Sequence, residues 1–63
     1  MSFLDRLYKE HEELEIKVVA LKDFLDTLFY QTLYDIEKDD LKVQLQYMEL
    51  YLAVLNKRIN RLR

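Results

Sequence analysis

Apolar residues recur along the chain at alternating spacings of three and four, in two separate ladders. Such spacing keeps every rung on one face of an α-helix, so the pattern predicts two amphipathic helices of the coiled-coil type. The first ladder consists of Leu4, Leu7, His11, Leu14, Val18, Leu21, Leu25 and Leu28. The second consists of Lys38, Leu41, Leu45, Met48, Leu52, Leu55, Ile59 and Leu62.

The two ladders mirror each other about Leu33. If the chain folds back there, Leu7 lies opposite Ile59 and His11 lies opposite Leu55. We therefore predict an all-α fold in which residues 1–63 form one antiparallel two-helix hairpin. The predicted helices cover about residues 3–29 and 36–61, with a turn at about 30–35. The sequence lacks glycine and proline, which favours long uninterrupted helices.

Short polar residues mark the expected starts of both helices. Ser2 is the predicted N-cap of the first helix and Asp35 that of the second, because their side-chain oxygens can accept hydrogen bonds from free backbone N–H groups. Acidic residues follow Asp35 and basic residues end the chain, as the helix dipole prefers.

The size of the chain indicates that a single hairpin is not the final assembly. A core of this size supplies about 3–5 kcal/mol, and the sequence has no cysteine with which to cross-link it. We expect a homo-oligomer, most simply a four-helix bundle of two hairpins, or a larger bundle. The predicted oligomer interface, which is the apolar surface beside the seam, consists of Ile16, Ala20, Phe24, Tyr47, Leu50, Tyr51 and Val54.

Two flanks border the predicted seam between the helices. In an antiparallel pair, residues at the same heptad position next to the seam lie side by side. One flank brings together Glu10, Lys17, Phe24, Gln44, Tyr51 and Arg58. The opposite flank, which we expect to be solvated, holds Glu15, Lys22, Lys42, Glu49, Asn56 and Arg63.

The single histidine is the one polar rung in the middle of the first ladder. His11 is interpreted as a partly buried residue that fixes the register of the helices; a pH-sensitive or ligand-binding role is the alternative. Helical di-metal sites place glutamate three residues before histidine, whereas this chain has Tyr8 there, so no metal site is predicted. No nucleophile lies beside a base, so we predict neither catalytic residues nor an enzyme, and no cofactor.

Tyrosine and arginine residues beside the second ladder have the chemistry of a nucleotide site. A tyrosine ring can stack on a base, and an arginine guanidinium can hold a phosphate through two hydrogen bonds. The candidate ligand-binding residues are Lys17, Gln44, Tyr47, Tyr51 and Arg58. The same residue types are favoured in oligomer interfaces, and the two uses are compatible.

Charge and hydropathy narrow the choice of partners. The acidic residues Glu10, Glu12, Glu13 and Glu15 are interpreted as a solvated face paired with Lys9, Lys17 and Arg58, or as a docking site for a basic partner. A net charge of −2 argues against nucleic-acid binding. No apolar run reaches the roughly 18–20 residues that span a bilayer, so we expect a cytoplasmic protein without a membrane partner.

The second helix carries a motif of regularly spaced residues, L-x-x-Q-L-x-x-M-x-x-Y-x-x-x-L-x-x-R-I, over residues 41–59. It resembles the signature of a family of short, uncharacterised phage and prophage helical proteins named after an open reading frame of a crAss-like phage. The polar members Gln44, Tyr51 and Arg58 fall at equivalent heptad positions. The resemblance implies a phage accessory protein that acts in a bacterial host cytoplasm.

These observations lead to one functional hypothesis and two alternatives. We expect a non-enzymatic, oligomeric helical phage protein that antagonises or modulates host defence by binding, with sequestration of a cyclic nucleotide signal as its sharpest form. The alternatives are a purely structural homo-oligomeric assembly module and an inhibitor that binds a host defence protein through the acidic face of the first helix.

Overall fold

A computed structural model describes residues 2–63 of the chain. Helix α1 runs over Phe3–Leu25, the short helix α2 over Leu28–Gln31, and helix α3 over Asp35–Leu62. Helices α1 and α3 pack along their length in opposite directions, since residues near the start of α1 contact residues near the end of α3. Within residues 2–63 the fold is all-helical, which confirms the predicted fold class at the level of one hairpin.

The core of the hairpin is the seam that the two ladders predict. Leu7, Leu55 and Ile59 form its buried cluster, and Leu4 and Leu14 pack against them. Every rung between Leu4 and Leu25, and between Lys38 and Ile59, is buried or half-buried. Leu55 is fully buried, and its predicted partner His11 is half-buried on the same face as the other rungs. The ladder is therefore the physical reason that these helices pair.

The first predicted helix is shorter than expected. Instead of continuing to residue 29, α1 ends at Leu25, and Thr27 starts α2. The Thr27 hydroxyl donates to the Phe24 carbonyl at 2.6 Å and accepts from the Tyr30 N–H at 3.2 Å, so it acts as an N-cap. Because the break shifts the helical phase, the predicted rung Leu28 is 87% exposed, and Tyr30 is buried at 4% exposure instead.

Tyr30 holds the turn against both long helices. Its hydroxyl donates to the Lys38 carbonyl at 3.3 Å, and its ring meets the ring of Phe24 edge-on with 6.2 Å between centroids. The Lys38 ammonium lies 5.7 Å from the Tyr30 ring centroid and bonds the Gln31 side chain. This aromatic anchor replaces the glycine-based turn chemistry that the sequence lacks.

The predicted N-cap is correct for α1 and wrong for α3. The Ser2 hydroxyl accepts from the Asp5 N–H at 3.1 Å, which confirms Ser2 as the N-cap of α1. The prediction for α3 is wrong by one residue, because Tyr34 occupies the N-cap position without a side-chain hydrogen bond. Asp35 and Glu37 instead lie inside the first turn, where their charges suit the positive end of the helix dipole.

The hairpin is a thin rod that leaves much of its surface in water. It measures 44 × 15 × 14 Å, and its radius of gyration is 14.5 Å, compared with about 10.6 Å expected for a compact domain of this length. Its accessible surface of 5097 Å² exceeds the roughly 4,400 Å² of a typical compact monomer of this mass. Neither long helix carries an apolar segment able to cross a membrane.

Candidate binding flank

One side of the α1–α3 seam collects polar and aromatic residues from both helices. We call this surface the tyrosine flank, and its members are Phe3, Glu10 and Lys17 on α1 with Gln44, Tyr51 and Arg58 on α3. The Tyr51 hydroxyl donates to the Glu10 carboxylate across the seam. One heptad earlier on α1 and one heptad later on α3, the Arg58 guanidinium lies 5.8 Å from the Phe3 ring centroid.

These two contacts fix the register of the whole flank. Phe3 and Glu10 are seven residues apart, and so are Tyr51 and Arg58. Continuing the same step in the other direction places Lys17 opposite Gln44. Four of the five predicted ligand-binding residues, Lys17, Gln44, Tyr51 and Arg58, therefore share one flank of the hairpin, as their heptad positions predict.

The Glu10 carboxylate changes the acidity of the Tyr51 hydroxyl. The hydrogen bond to Glu10 raises the pKa of Tyr51 above its ordinary value of 10.0, and desolvation and the negative charge of Glu10 act in the same direction. The positive charge of Arg58 opposes them. Glu10 was predicted to pair with a basic residue such as Arg58, but it accepts its bond from Tyr51, because Arg58 lies one heptad away over Phe3.

Of the remaining candidates, Lys17 and Gln44 lie at the other end of the flank, and Tyr47 lies on the outward face of α3. Lys17, Gln44 and Tyr47 are all exposed, and the Gln44 amide makes a weak contact of 3.8 Å to the Met48 sulfur. Gln44 and Arg58 are fourteen residues apart on α3, which corresponds to about 21 Å along the helix axis. Within one hairpin, Lys17 and Gln44 thus lie at one end of the tyrosine flank and Arg58 lies at the other, with Tyr51 midway between Gln44 and Arg58 on α3.

The opposite flank behaves as the sequence predicts. Lys22 and Glu49 form an ion pair of 3.4 Å between α1 and α3, and both side chains remain about half exposed. A shallow open depression lined by Gln46, Glu49 and Leu50 lies toward this side of α3. It does not include any candidate ligand-binding residue.

The outward face of α3 exposes several large apolar side chains. Tyr47 is 69% exposed, and Leu50, Tyr51 and Val54 of the predicted interface are also exposed, as are Ile16 and Ala20 on α1. Phe24 differs from the rest, because its ring already packs against Phe29 and Tyr30 in the turn. Our sequence reasoning missed Ile36 and Val43, which continue the exposed apolar row on α3 and which heptad spacing alone could have revealed.

The fold and its surface define a small all-helical hairpin with an exposed polar and aromatic flank. The chain belongs to the Sequestin family, whose profile matches residues 1–61. Membership of a known family is thereby shown, and the family name fits a binding role of the sequestering kind in general terms. Comparison with curated proteins gave no match, and comparison with solved structures gave none.

Proposed function

We propose that this protein is a non-enzymatic, oligomeric binding protein that sequesters a small nucleotide signal, and that it thereby counters a host defence response. The observation that carries the proposal is the tyrosine flank, where Gln44, Tyr51 and Arg58 follow one another at heptad spacing on α3 and Lys17 of α1 lies opposite Gln44. The family name supports sequestration, and the motif over residues 41–59 supports the phage setting.

The chemistry of the flank suits a nucleotide better than an apolar ligand. Aromatic side chains stack on any base, and each stack is worth about 1–3 kcal/mol. Lys17 and Arg58 supply positive charge for phosphate, with Arg58 able to form two parallel hydrogen bonds. The Glu10 carboxylate would repel phosphate, so the phosphate groups belong at the Lys17 and Arg58 positions and not beside Glu10.

A sequestering protein needs affinity but no turnover, and the hairpin fits this requirement. Contacts that stabilise the bound, unreacted ligand raise the affinity without accelerating any reaction. The exposed polar and aromatic residues lie on helices, so little backbone conformational entropy is lost when a ligand binds.

A melting-temperature screen with cyclic dinucleotides and cyclic trinucleotides tests the proposal. A ligand at one hundred times its dissociation constant stabilises the folded state by about 2.7 kcal/mol and raises the melting temperature accordingly. The shift should shrink in Lys17→Ala and Tyr51→Ala, each compared with its own ligand-free melting temperature. Lys9→Ala and Tyr34→Ala are matched controls, because these two residues are exposed and lie outside the tyrosine flank.

Failure of all these compounds to shift the melting temperature at millimolar concentration would contradict the sequestering proposal. The structural alternative, an assembly module without a ligand, has its own support in the intramolecular Tyr51–Glu10 and Arg58–Phe3 contacts. It predicts that Arg58→Ala lowers the stability of the oligomer and that no ligand response exists to be lost.

A further inference from the structure

The outward face of α3 carries a further ladder of residues, which we call the outer ladder, with the same alternating spacing of three and four as the seam. Its rungs lie on the side of α3 that faces away from α1, and all of them are exposed. Ile36 is 73% exposed and shows that the row begins in the first turn of the helix. The outer ladder consists of Ile36, Asp40, Val43, Tyr47, Leu50, Val54, Lys57 and Arg61.

The six inner rungs of the outer ladder, from Asp40 to Lys57, complement one another when the helix is reversed. About a centre between Tyr47 and Leu50, these two residues exchange places. In the next rungs outward Val43 meets Val54, and beyond them the acidic Asp40 meets the basic Lys57. A parallel arrangement would instead place each of these charges against its own copy, which is unfavourable.

We propose that two hairpins dock through their outer ladders, with the two α3 helices antiparallel about a two-fold axis near residues 47–50. The occupant of this face is a second copy of the chain, because its four apolar central rungs are bounded by opposite charges that match only in the reversed copy. A two-fold interface requires this kind of self-complementarity, since the same patch serves both subunits. Leu50 of each copy packs against Tyr47 of the other.

The seam between α1 and α3 shows which residues form pairs on either side of such a ladder. Val18 and Met48 are mirrored rungs, and Lys22, four residues after Val18, bonds Glu49, one residue after Met48. Applied to the rungs Asp40 and Lys57 of the outer ladder, the same rule places Gln44 beside Arg58 of the partner subunit. Applied to the central rungs, it places Tyr51 beside Tyr51 of the partner subunit.

The docking therefore brings together Gln44 and Arg58, which one hairpin keeps about 21 Å apart along α3. Lys17 and Gln44 of one copy lie on the same surface as Arg58 of the other, with the two Tyr51 rings between the symmetry-related sites. Tyr47 becomes part of the interface. The dimer then has two composite sites in which phosphate lies between Lys17 and the partner's Arg58, a statement of ligand chemistry that rests on the proposed function.

Directional disulfide formation tests the docking without any ligand, and the native chain has no cysteine to interfere. Val43→Cys and Val54→Cys change exposed residues, so neither should disturb the hairpin. On mild oxidation, a mixture of the two variants should give a covalent dimer, whereas each variant alone should give little. A covalent dimer from Val43→Cys alone would show parallel packing and overturn the proposal.

Charge reversal provides an independent measurement of mass in solution. Asp40→Lys and Lys57→Asp should each weaken the dimer, and the double variant, or a mixture of the two single variants, should restore it. Glu12→Lys and Lys9→Asp are matched controls on the outer face of α1. If the native chain is monomeric, or is dimeric with no response to these changes and no mixed disulfide, the docking is wrong.

The two proposals fail separately under these measurements. A mixed disulfide together with a ligand screen that gives no melting shift would leave the docking intact and remove the nucleotide function. If a nucleotide raised the melting temperature but no mixed disulfide formed, the nucleotide function would stand and the docking would be wrong.

Discussion

The hydroxyl of Tyr51 on α3 donates to the carboxylate of Glu10 on α1, forty-one residues earlier in the chain. The bond crosses the seam on its polar side and, together with Arg58 over the Phe3 ring, sets which residues of the two helices lie side by side. It also leaves a carboxylate in the middle of a flank that otherwise has the chemistry to bind an anion.

Replacing Glu10 by glutamine should lower the pKa of Tyr51 toward 10.0. The Glu10 carboxylate accepts a hydrogen bond from the protonated Tyr51 hydroxyl. Tyr51 therefore loses its proton at a higher pH in the folded protein than in the unfolded chain. This contribution to stability is complete below pH 10.0 and is lost as the pH rises through the raised pKa. Phenolate absorbance during an alkaline titration measures the effect, with Tyr51→Phe identifying the signal of Tyr51.

Glu12→Gln is the matched control for this titration, because Glu12 is exposed on α1 away from Tyr51. It should leave the Tyr51 signal where the native protein has it. An identical Tyr51 titration in the native protein and in Glu10→Gln would mean that the bond does not form in solution.

Removal of the Thr27 hydroxyl should destabilise the hairpin through its turn. In Thr27→Ala the Tyr30 N–H loses its capping acceptor, and the cost of losing an N-cap is about 1 kcal/mol. Thermal unfolding followed by circular dichroism measures it. Thr27→Ser keeps the hydroxyl and should remain close to the native melting temperature; equal losses in both variants would assign the effect to the methyl group and not to the cap.

Leu55→Ala should be the most damaging of the single truncations in the seam. Leu55 is the largest side chain with no exposed surface, and emptying such a position costs about 2–5 kcal/mol. That loss is comparable with the entire margin expected of a core this small. Leu62→Ala, at the exposed last rung, should cost less than about 0.5 kcal/mol. Chemical denaturation compares the two, and similar losses would show that the seam extends to the end of α3.

Periodicity predicted the long helices well and the turn poorly, for one physical reason. A ladder records which residues face a partner helix, so it is reliable from Leu4 to Leu25, where the partner is present. Near the turn no partner helix faces the chain, so local hydrogen bonds determine its conformation. There the Thr27 cap starts a four-residue helix whose phase buries Tyr30 and exposes Leu28. A threonine followed by three apolar residues is too common a pattern to predict this.

The candidate flank was predictable in position but not in its bonds. Heptad counting brings Lys17, Gln44, Tyr51 and Arg58 to one side of the seam, and the structure places them there. Heptad counting does not predict that Glu10 bonds Tyr51 and not Arg58. The partner of Glu10 depends on how far one helix is shifted along the other, and a shift of one heptad exchanges Arg58 for Tyr51. Charge alone favoured the arginine.

Leu50→Glu should separate the subunits, because it places a carboxylate at the centre of the outer ladder in both copies. Light scattering should report the mass of a single 7.8 kDa chain, and the melting temperature should fall. Leu28→Glu is the matched control: it makes the same substitution at an exposed leucine in the turn. An unchanged mass in Leu50→Glu would exclude this face from the assembly.

Mixed dimers can show that each ligand site contains residues of two subunits. In a dimer of one Lys17→Ala chain and one Arg58→Ala chain, one composite site loses both cations and the other keeps both. The mixed dimer should therefore keep half of the native binding capacity for whichever cyclic nucleotide shifts the native protein. An equimolar mixture, in which about half of the dimers are mixed, should recover about a quarter of it, whereas either variant alone should have little. Isothermal titration calorimetry gives the number of sites per dimer directly.

The recovery depends on the antiparallel register and not on dimerisation alone. If Lys17 and Arg58 of the same chain formed the site, every site in the mixed dimer would lack one cation, and mixing would recover nothing. Combining Lys17→Ala with Lys9→Ala, which retains Arg58 in both chains, is the control. Half of its chains keep Lys17, so about half of its sites keep both cations and the mixture should give about half of the native capacity. A mixture of Lys17→Ala and Arg58→Ala that stays inactive while this control binds would rule out the shared site.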